Sequence, residues 1–416
     1  MSTTKLPRSQ TNVLTAWDEF VKPLHASPIF KTMGGLSLVS AVLTRKVWFK
    51  TNPVMPALFP NLYIILCGPP GSGKDLVINQ IRAILAAMMV GMEQQRGINI
   101  GPESLSTKGL IDALADENAR LTFSFKNNGK TETVHYHSLF IANGEFGAFM
   151  PEYNTQMVSI INDLFGCKNS FSERIRGRGT SSTISIENPH LAMIIGTQPA
   201  VFARIVPIEA YMMGLTARLL ICNANETVKK PMFDGATTDL TLFDKIASDL
   251  RAISFITGEY KPNKTFKEKL NWFHMENPGA ITHSRFEDYN VRRSLHLGKI
   301  ALCCAAAESN ELVLEERHFE QALDYLLLSE KDAPALFDGL VTDQGFSHTV
   351  EQVLHDKTVA HSTITHAELE RKLRRTHRPY EVGQIIRSMI AAGDITFAEY
   401  KGSIPIYHVH STELSK

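Results

Sequence analysis

The sequence predicts an α/β fold built on a largely parallel sheet. A helical N-terminal segment precedes it, and a helical lid and a small domain of helices and a hairpin follow. Three observations predict it. Short, continuously apolar runs at residues 62–67, 138–142 and 191–195 suit strands buried on both faces of a parallel sheet. Helical patterns alternate with these runs as far as residue 247. After that the pattern becomes helical, and a change of rhythm near residue 343 opens a separate tail. The expected divisions are 1–55, 56–247, 248–342 and 343–416.

Composition narrows the classes. The 416 residues carry 43 Lys+Arg and 43 Asp+Glu, so a strongly basic coat for nucleic acid and a polyacidic tail are both excluded. Hydrophobic residues at 44% and charged residues at 21% are ordinary for a globular chain long enough to need no staples. Five cysteines, an odd number with no C-x-x-C, argue against a disulfide framework or a zinc ribbon and point to the cytoplasm. No apolar run is long enough to span a bilayer, and no apolar segment follows the first charges, so neither a membrane partner nor a signal peptide is expected.

The elements follow in order. Residues 11–25 and 34–47 read as helices, within a first 60 residues that carry seven basic and two acidic side chains. That excess reads as a solvated helical collar or as a positive patch that meets nucleic acid or a partner. A strand at 62–67 leads through a Gly/Pro loop into a helix from 74 to about 93, and a second helix starts near 106. Strands are expected at 121–125 and 134–142, a helix at 155–165, a hairpin at 170–186, and strands at 191–195 and 215–222. Helices at 264–276, 286–309 and 316–340 make the lid. The tail reads as a helix at 347–356, a second opened by a Thr365-x-x-Glu368 capping box, and a third at 380–392. A hairpin at 394–410 completes a winged-helix-like pattern.

The strongest chemical signal is Gly68-Pro-Pro-Gly-Ser-Gly-Lys74, which satisfies G-x-x-x-x-G-K between a predicted strand and a predicted helix. Glycines let backbone N–H groups close around phosphate oxygens, and the helix N-terminus adds positive potential. Nucleotide binding is therefore assigned to Gly68, Pro69, Pro70, Gly71, Ser72, Gly73, Lys74, Asp75 and Leu76, with Lys74 reaching the β/γ-phosphates of ATP. The residue after the lysine is usually Ser or Thr, whose hydroxyl ligates Mg²⁺. Asp75 stands there instead, so it either binds the ion directly or weakens nucleotide binding. The strand at 138–142 runs into Asn143-Gly144-Glu145, a Walker-B-like end with the glutamate but without the preceding aspartate. Glu145 is the candidate general base. The two departures combine into one expectation: the acidic group near the metal has moved from the strand end to Asp75.

Further along, Asn188-Pro leads an apolar strand into Gly196-Thr-Gln-Pro199, and Leu215-Thr-Ala-Arg218 leads into another. Between them in sequence and the Walker-B-like strand lies Arg174-Ile-Arg176-Gly-Arg178, three alternating arginines at a hairpin tip. With Phe59-Pro-Asn-Leu-Tyr before the P-loop, this ordered set resembles the AAA+/superfamily III-like P-loop ATPases of phages and mobile elements, from about residue 34 to 340. The resemblance implies a ring, usually a hexamer, that hydrolyses ATP between subunits and moves along single-stranded DNA. It implies that Thr197 or Gln198 orients the lytic water, and that Arg218 reaches the γ-phosphate of the neighbouring subunit rather than forming a structural ion pair. Arg292 and Arg293 on a lid helix are candidates for a further phosphate contact in cis. Arg174, Arg176 and Arg178 would line the hole and grip DNA, or form an ordinary exposed turn.

The tail holds Arg371, Lys372, Arg374 and Arg375, yet residues 346–416 as a whole carry nine basic and eight acidic side chains. DNA binding and protein docking are equally open there. The function expected is a ring-forming, Mg-ATP-dependent DNA helicase or translocase in replication of a phage or mobile element. An ATP-gated origin-binding protein or helicase loader is the alternative.

Overall fold

The computed structural model describes residues 7–93, 97–127, 129–150, 154–176, 181–205, 213–228, 239–337, 363–373, 386, 390, 395–401 and 404–409. The chain divides into two compact units, Met1–Phe337 and Asp338–Lys416.

A five-stranded sheet organises the first unit, in the order β3 (Arg120–Asn127), β4 (Lys130–Asn143), β7 (Pro189–Thr197), β2 (Tyr63–Cys67), β8 (Leu220–Asn223). The pairs β4–β7, β7–β2 and β2–β8 are parallel, and β3–β4 is an antiparallel hairpin. Every residue of β2 and β7 is buried, as strands covered on both faces require. The sheet departs from the expected pattern in two places. The strand expected at 134–142 begins four residues earlier, because its N-terminal half leaves the parallel layer to pair with β3. The strand expected from 215 begins only at Leu220, because Thr216–Arg218 forms a 3-10 turn after Gly214, whose φ is +73°.

Two helices lie at the N-terminus. Helix α1 (Val13–Val21) is capped by Asn12, whose Oδ1 accepts from Leu14 N at 2.8 Å. Helix α2 (Pro28–Leu43) starts six residues before the expected point, with Pro28 in its first turn. The helices do not form a solvated collar. Thirteen of the sixteen residues of α2 are buried, so it is a core helix rather than a surface one. A Cβ on Gly35 would lie 2.5 Å from Cδ1 of Trp17, so the crossing of α1 and α2 depends on that glycine. The basic excess is not a surface patch either. Arg45 and Lys46 are buried; Arg45 Nη1 donates to Cys167 O at 2.7 Å and Lys46 Nζ to Ser254 O at 2.6 Å. Burial without a carboxylate partner lowers the Lys46 pKa to about 7.

Helix α3 (Lys74–Met89) follows the Gly/Pro loop, and α4 (Thr107–Ala115) is capped by Ser106. After β4 come the short α5 (Phe146–Phe149) and α6 (Thr155–Phe165). The expected hairpin is β5 (Ser170–Arg176) against β6 (Ser181–Glu187), antiparallel, with Arg174 opposite Thr183 and Arg176 opposite Ser181. Arg178 lies outside the described residues. Beyond β7 the chain forms α7 (Pro199–Ile205), and after β8 comes α8 (Leu240–Ile253), which packs on α1, α2 and α3.

The remaining helices are α9 (Lys264–Glu276), α10 (Glu287–Glu308) and α11 (Glu316–Glu330), and α10 also packs on α2. Short parallel bridges tie these segments in: β1 (Val47–Trp48) with β9 (Gly258–Glu259), and β10 (Lys261–Pro262) with β11 (Val313–Leu314).

In the second unit, β12 (Thr363–Thr365) precedes α12 (His366–Leu373). The Thr365–Glu368 capping box is formed: Thr365 N donates to Glu368 Oε2 and Glu368 N to Thr365 Oγ1, each at 3.3 Å. The expected hairpin is β13 (Ile395–Lys401) and β14 (Ile404–Val409), and β12 adds to β14 as a third antiparallel strand. The helix expected at 347–356 lies outside the described residues, as does nearly all of that expected at 380–392.

Among the described residues no helix is long and apolar enough to cross a membrane. All five cysteines are free and buried, and no group of three or more His, Cys, Asp and Glu among the described residues could hold a metal ion.

Candidate active site

Three strand ends meet at one edge of the sheet, and the order of strands decides which residues meet. Because β7 lies between β2 and β4, its tip is set between the Gly/Pro loop and the Asn143-Gly-Glu145 segment. The register places Cys67 beside Thr197 and Asn143 beside Ile195.

The Gly/Pro loop leaves β2 with Gly68 N bonded to Thr197 O at 3.1 Å. Gly71 and Gly73 take φ values of +79° and +83°, left-handed conformations that favour glycine. The N-terminal segment supports the loop from outside. Ser27 N donates to Ser72 O at 3.0 Å, and a Cβ on Gly73 would clash with Ala26 and the His25 carbonyl. Lys74 folds back over the loop, its Nζ donating to Gly68 O at 2.7 Å, Pro69 O at 3.1 Å and Ser72 Oγ at 3.3 Å. Burial pulls the Lys74 pKa down, and the charges of Asp75, Cys67 and Glu145 oppose that shift. Asp75 and Leu76 occupy the first turn of α3 and are exposed.

Glu145 is exposed, with its backbone N bonded to Asn143 Oδ1 at 2.9 Å. Asn143 Nδ2 in turn donates to Glu103 O, and Arg82 links α3 to the end of β4 through Ala142 O at 2.9 Å. Gly196 comes so close to Gly144 that a Cβ there would stand 2.6 Å from the Gly144 carbonyl oxygen. Thr197 is buried with its hydroxyl directed to Gln198 O at 3.3 Å, whereas Gln198 is half-exposed at the same tip. Of the two residues expected to orient water, Gln198 is the accessible one.

The two departures from the usual motif are sterically joined. A Cβ on Gly144 would fall inside van der Waals contact of Asp75 Oδ1. The carboxylate of Asp75 therefore occupies the space that a strand-end aspartate at 144 would need. This cradle, with Glu145 close enough to act on Lys74, suits a hard divalent cation such as Mg²⁺. Gly144→Asp alone should weaken Mg²⁺-dependent nucleotide binding about 10- to 100-fold. Asp75→Ser alone should do the same, and the double variant should recover part of the loss. Titration of a fluorescent ADP analogue with and without Mg²⁺ checks this, and strictly additive losses would contradict the coupling.

Arg218 is not at this edge. It ends the turn before β8, whereas Ala224, after that strand, bonds through its N to Cys67 O at 2.8 Å. Six residues separate the two, about 20 Å at roughly 3.3 Å per extended residue, beyond the reach of an arginine side chain. Arg218 Nη1 donates to Gly214 O at 2.6 Å, and its buried Nε has no hydrogen-bond partner. Arg293 does not fit the expected phosphate contact. It is fully buried, with Nε and Nη2 on Glu330 at 2.8 and 2.7 Å and Nη1 on Asn277 Oδ1 at 2.8 Å. Its neighbour Arg292 is half-exposed.

Neither Gly144 and Gly196 as a packed pair nor the support from residues 25–27 was anticipated from sequence. Two glycines at the tips of adjacent predicted strands were the available signal for the first. No family model matches the chain, and no curated protein matches it either.

Proposed function

We propose that the chain is a Mg-ATP-dependent DNA helicase or translocase of AAA+/superfamily III type, hydrolysing ATP between neighbouring copies in a ring. One observation carries the reading: Lys74, Asp75, Glu145 and Gln198 converge on one edge of the sheet, while Arg218 stands at the other.

In this reading the backbone N–H groups of residues 68–76 cradle the phosphates of ATP. Lys74 exchanges its bonds to the Gly68 and Pro69 carbonyls for phosphate oxygens. Glu145 takes the proton of the attacking water, and Gln198 orients it. Asp75 and Glu145 would hold Mg²⁺, which when bound neutralises charge on the β- and γ-phosphates. Arg218 completes the site of the adjacent copy. The β5–β6 hairpin, with Arg174, Arg176 and Arg178, would move along single-stranded DNA as that interface closes. The β13–β14 hairpin would be the wing of a winged helix that docks DNA or protein. That hairpin and the off-pattern Asp75 favour the second reading, an ATP-gated origin-binding protein or helicase loader.

Strand displacement on forked DNA with ATP, beside imaging of the particles, separates the two. Unwinding by rings is the expected result, and duplex binding without unwinding selects the loader. Arg176→Ala/Arg178→Ala should abolish stimulation of ATP turnover by DNA while leaving nucleotide binding intact. Normal stimulation in that variant would sink the hairpin assignment.

A further inference from the structure

The geometry points to a two-arginine clamp at the far edge of the sheet, in which Arg292 joins Arg218 to take the γ-phosphate carried by the P-loop of a second copy of this chain. The inference rests on the nucleotide-site reading above and adds a residue to it.

The backbone fixes the placement. His296 Nε2 donates to Ala217 O at 3.0 Å, which seats α10 on the Thr216–Arg218 turn. Arg292 lies four residues before His296 and so shares its face of the helix, one turn away. That sets Arg292 over Arg218, and its charge is the largest cause after burial that lowers the Arg218 pKa. Asp163 and Asp288 partly offset that effect, but Asp163 is already bonded to Lys168 at 2.7 Å. Arg292 donates no hydrogen bond among the described residues, and Arg218 keeps its buried Nε unpaired. Two guanidinium groups held together with donors unspent match the fork geometry of a phosphate.

The clamp cannot serve its own P-loop, for the distance argument that excludes Arg218 applies to Arg292 through their contact. The fitting ligand is a phosphate presented by another molecule. The rim of this edge is apolar, with Val291 at 75% and Met275 at 77% exposure beside Arg292 and close to the Asn277–Asn290 link. The opposite edge exposes Asp75 and Glu145 around the P-loop. A head-to-tail contact between copies joins cationic edge to acidic, phosphate-bearing edge, the arrangement that closes into rings.

Arg292→Ala should lower kcat about 10- to 100-fold with little change in KM, and Arg292→Lys should recover part of it. The separated subunit carrying Arg292→Ala should bind ADP with beryllium fluoride as tightly as wild type, while self-association driven by that complex is lost. Wild-type turnover in Arg292→Ala, with turnover lost in Arg218→Ala, would overturn the clamp and leave the intersubunit site standing. Wild-type turnover in both variants would overturn that site as well. A fall in nucleotide affinity of the separated subunit would place Arg292 in cis and also overturn the clamp.

Discussion

Arg218→Ala should lower ATP turnover about 10³-fold or more, the range for removing an arginine finger. That corresponds to about 4 kcal/mol of transition-state stabilisation. Binding of ATP should be unchanged, because Arg218 lies at the opposite edge of the sheet from the P-loop of its own chain. Folding should survive, since the side chain donates one listed bond, to Gly214 O in its own turn, and leaves a buried Nε unpaired. Single-turnover and steady-state assays beside a nucleotide-binding titration measure both sides. Equal losses in binding and turnover would mean that Arg218 acts through the fold.

Glu145→Gln should lower turnover by about 10²- to 10⁴-fold, the usual contribution of a positioned general base. The amide keeps the size of the side chain but cannot take a proton from water. The backbone bond from Glu145 N to Asn143 Oδ1 is indifferent to the change, so the loop should hold its shape. ATP affinity should stay the same or rise slightly, because a negative charge near Lys74 is removed. A turnover close to wild type would move the base elsewhere, and Gln198 is not a candidate, since an amide is no base at neutral pH.

The strands and the loop could be read from sequence because their causes are local. Continuous apolar runs mark strands buried on both faces, and β2 and β7 are buried along their whole lengths. The Gly-rich loop declared its own conformation, since Gly71 and Gly73 adopt positive φ. The burial of α2 was hidden for a tertiary reason. Its apolar residues run around the whole helix, and the charges that suggested a solvated collar, Arg45 and Lys46, are satisfied inside by carbonyls 122 and 208 residues away in sequence. Arg292 and Arg293 look interchangeable in sequence. They differ because one step of about 100° around α10 turns Arg293 toward Glu330 and leaves Arg292 near the turn at Arg218. The meaning of Gly144 appears only when Asp75, 69 residues before it, fills the space above it.

A site shared between two copies makes a demand that a site within one copy does not. Lys74→Ala disables the nucleotide pocket of its own subunit, and Arg218→Ala disables that of its neighbour. Each variant alone should be inactive. Mixed together, they form some interfaces that pair an intact P-loop from one with an intact arginine from the other, so ATP turnover should reappear and peak near equal proportions. Turnover that stays absent at every mixing ratio, in assemblies shown to contain both variants, would contradict hydrolysis between subunits.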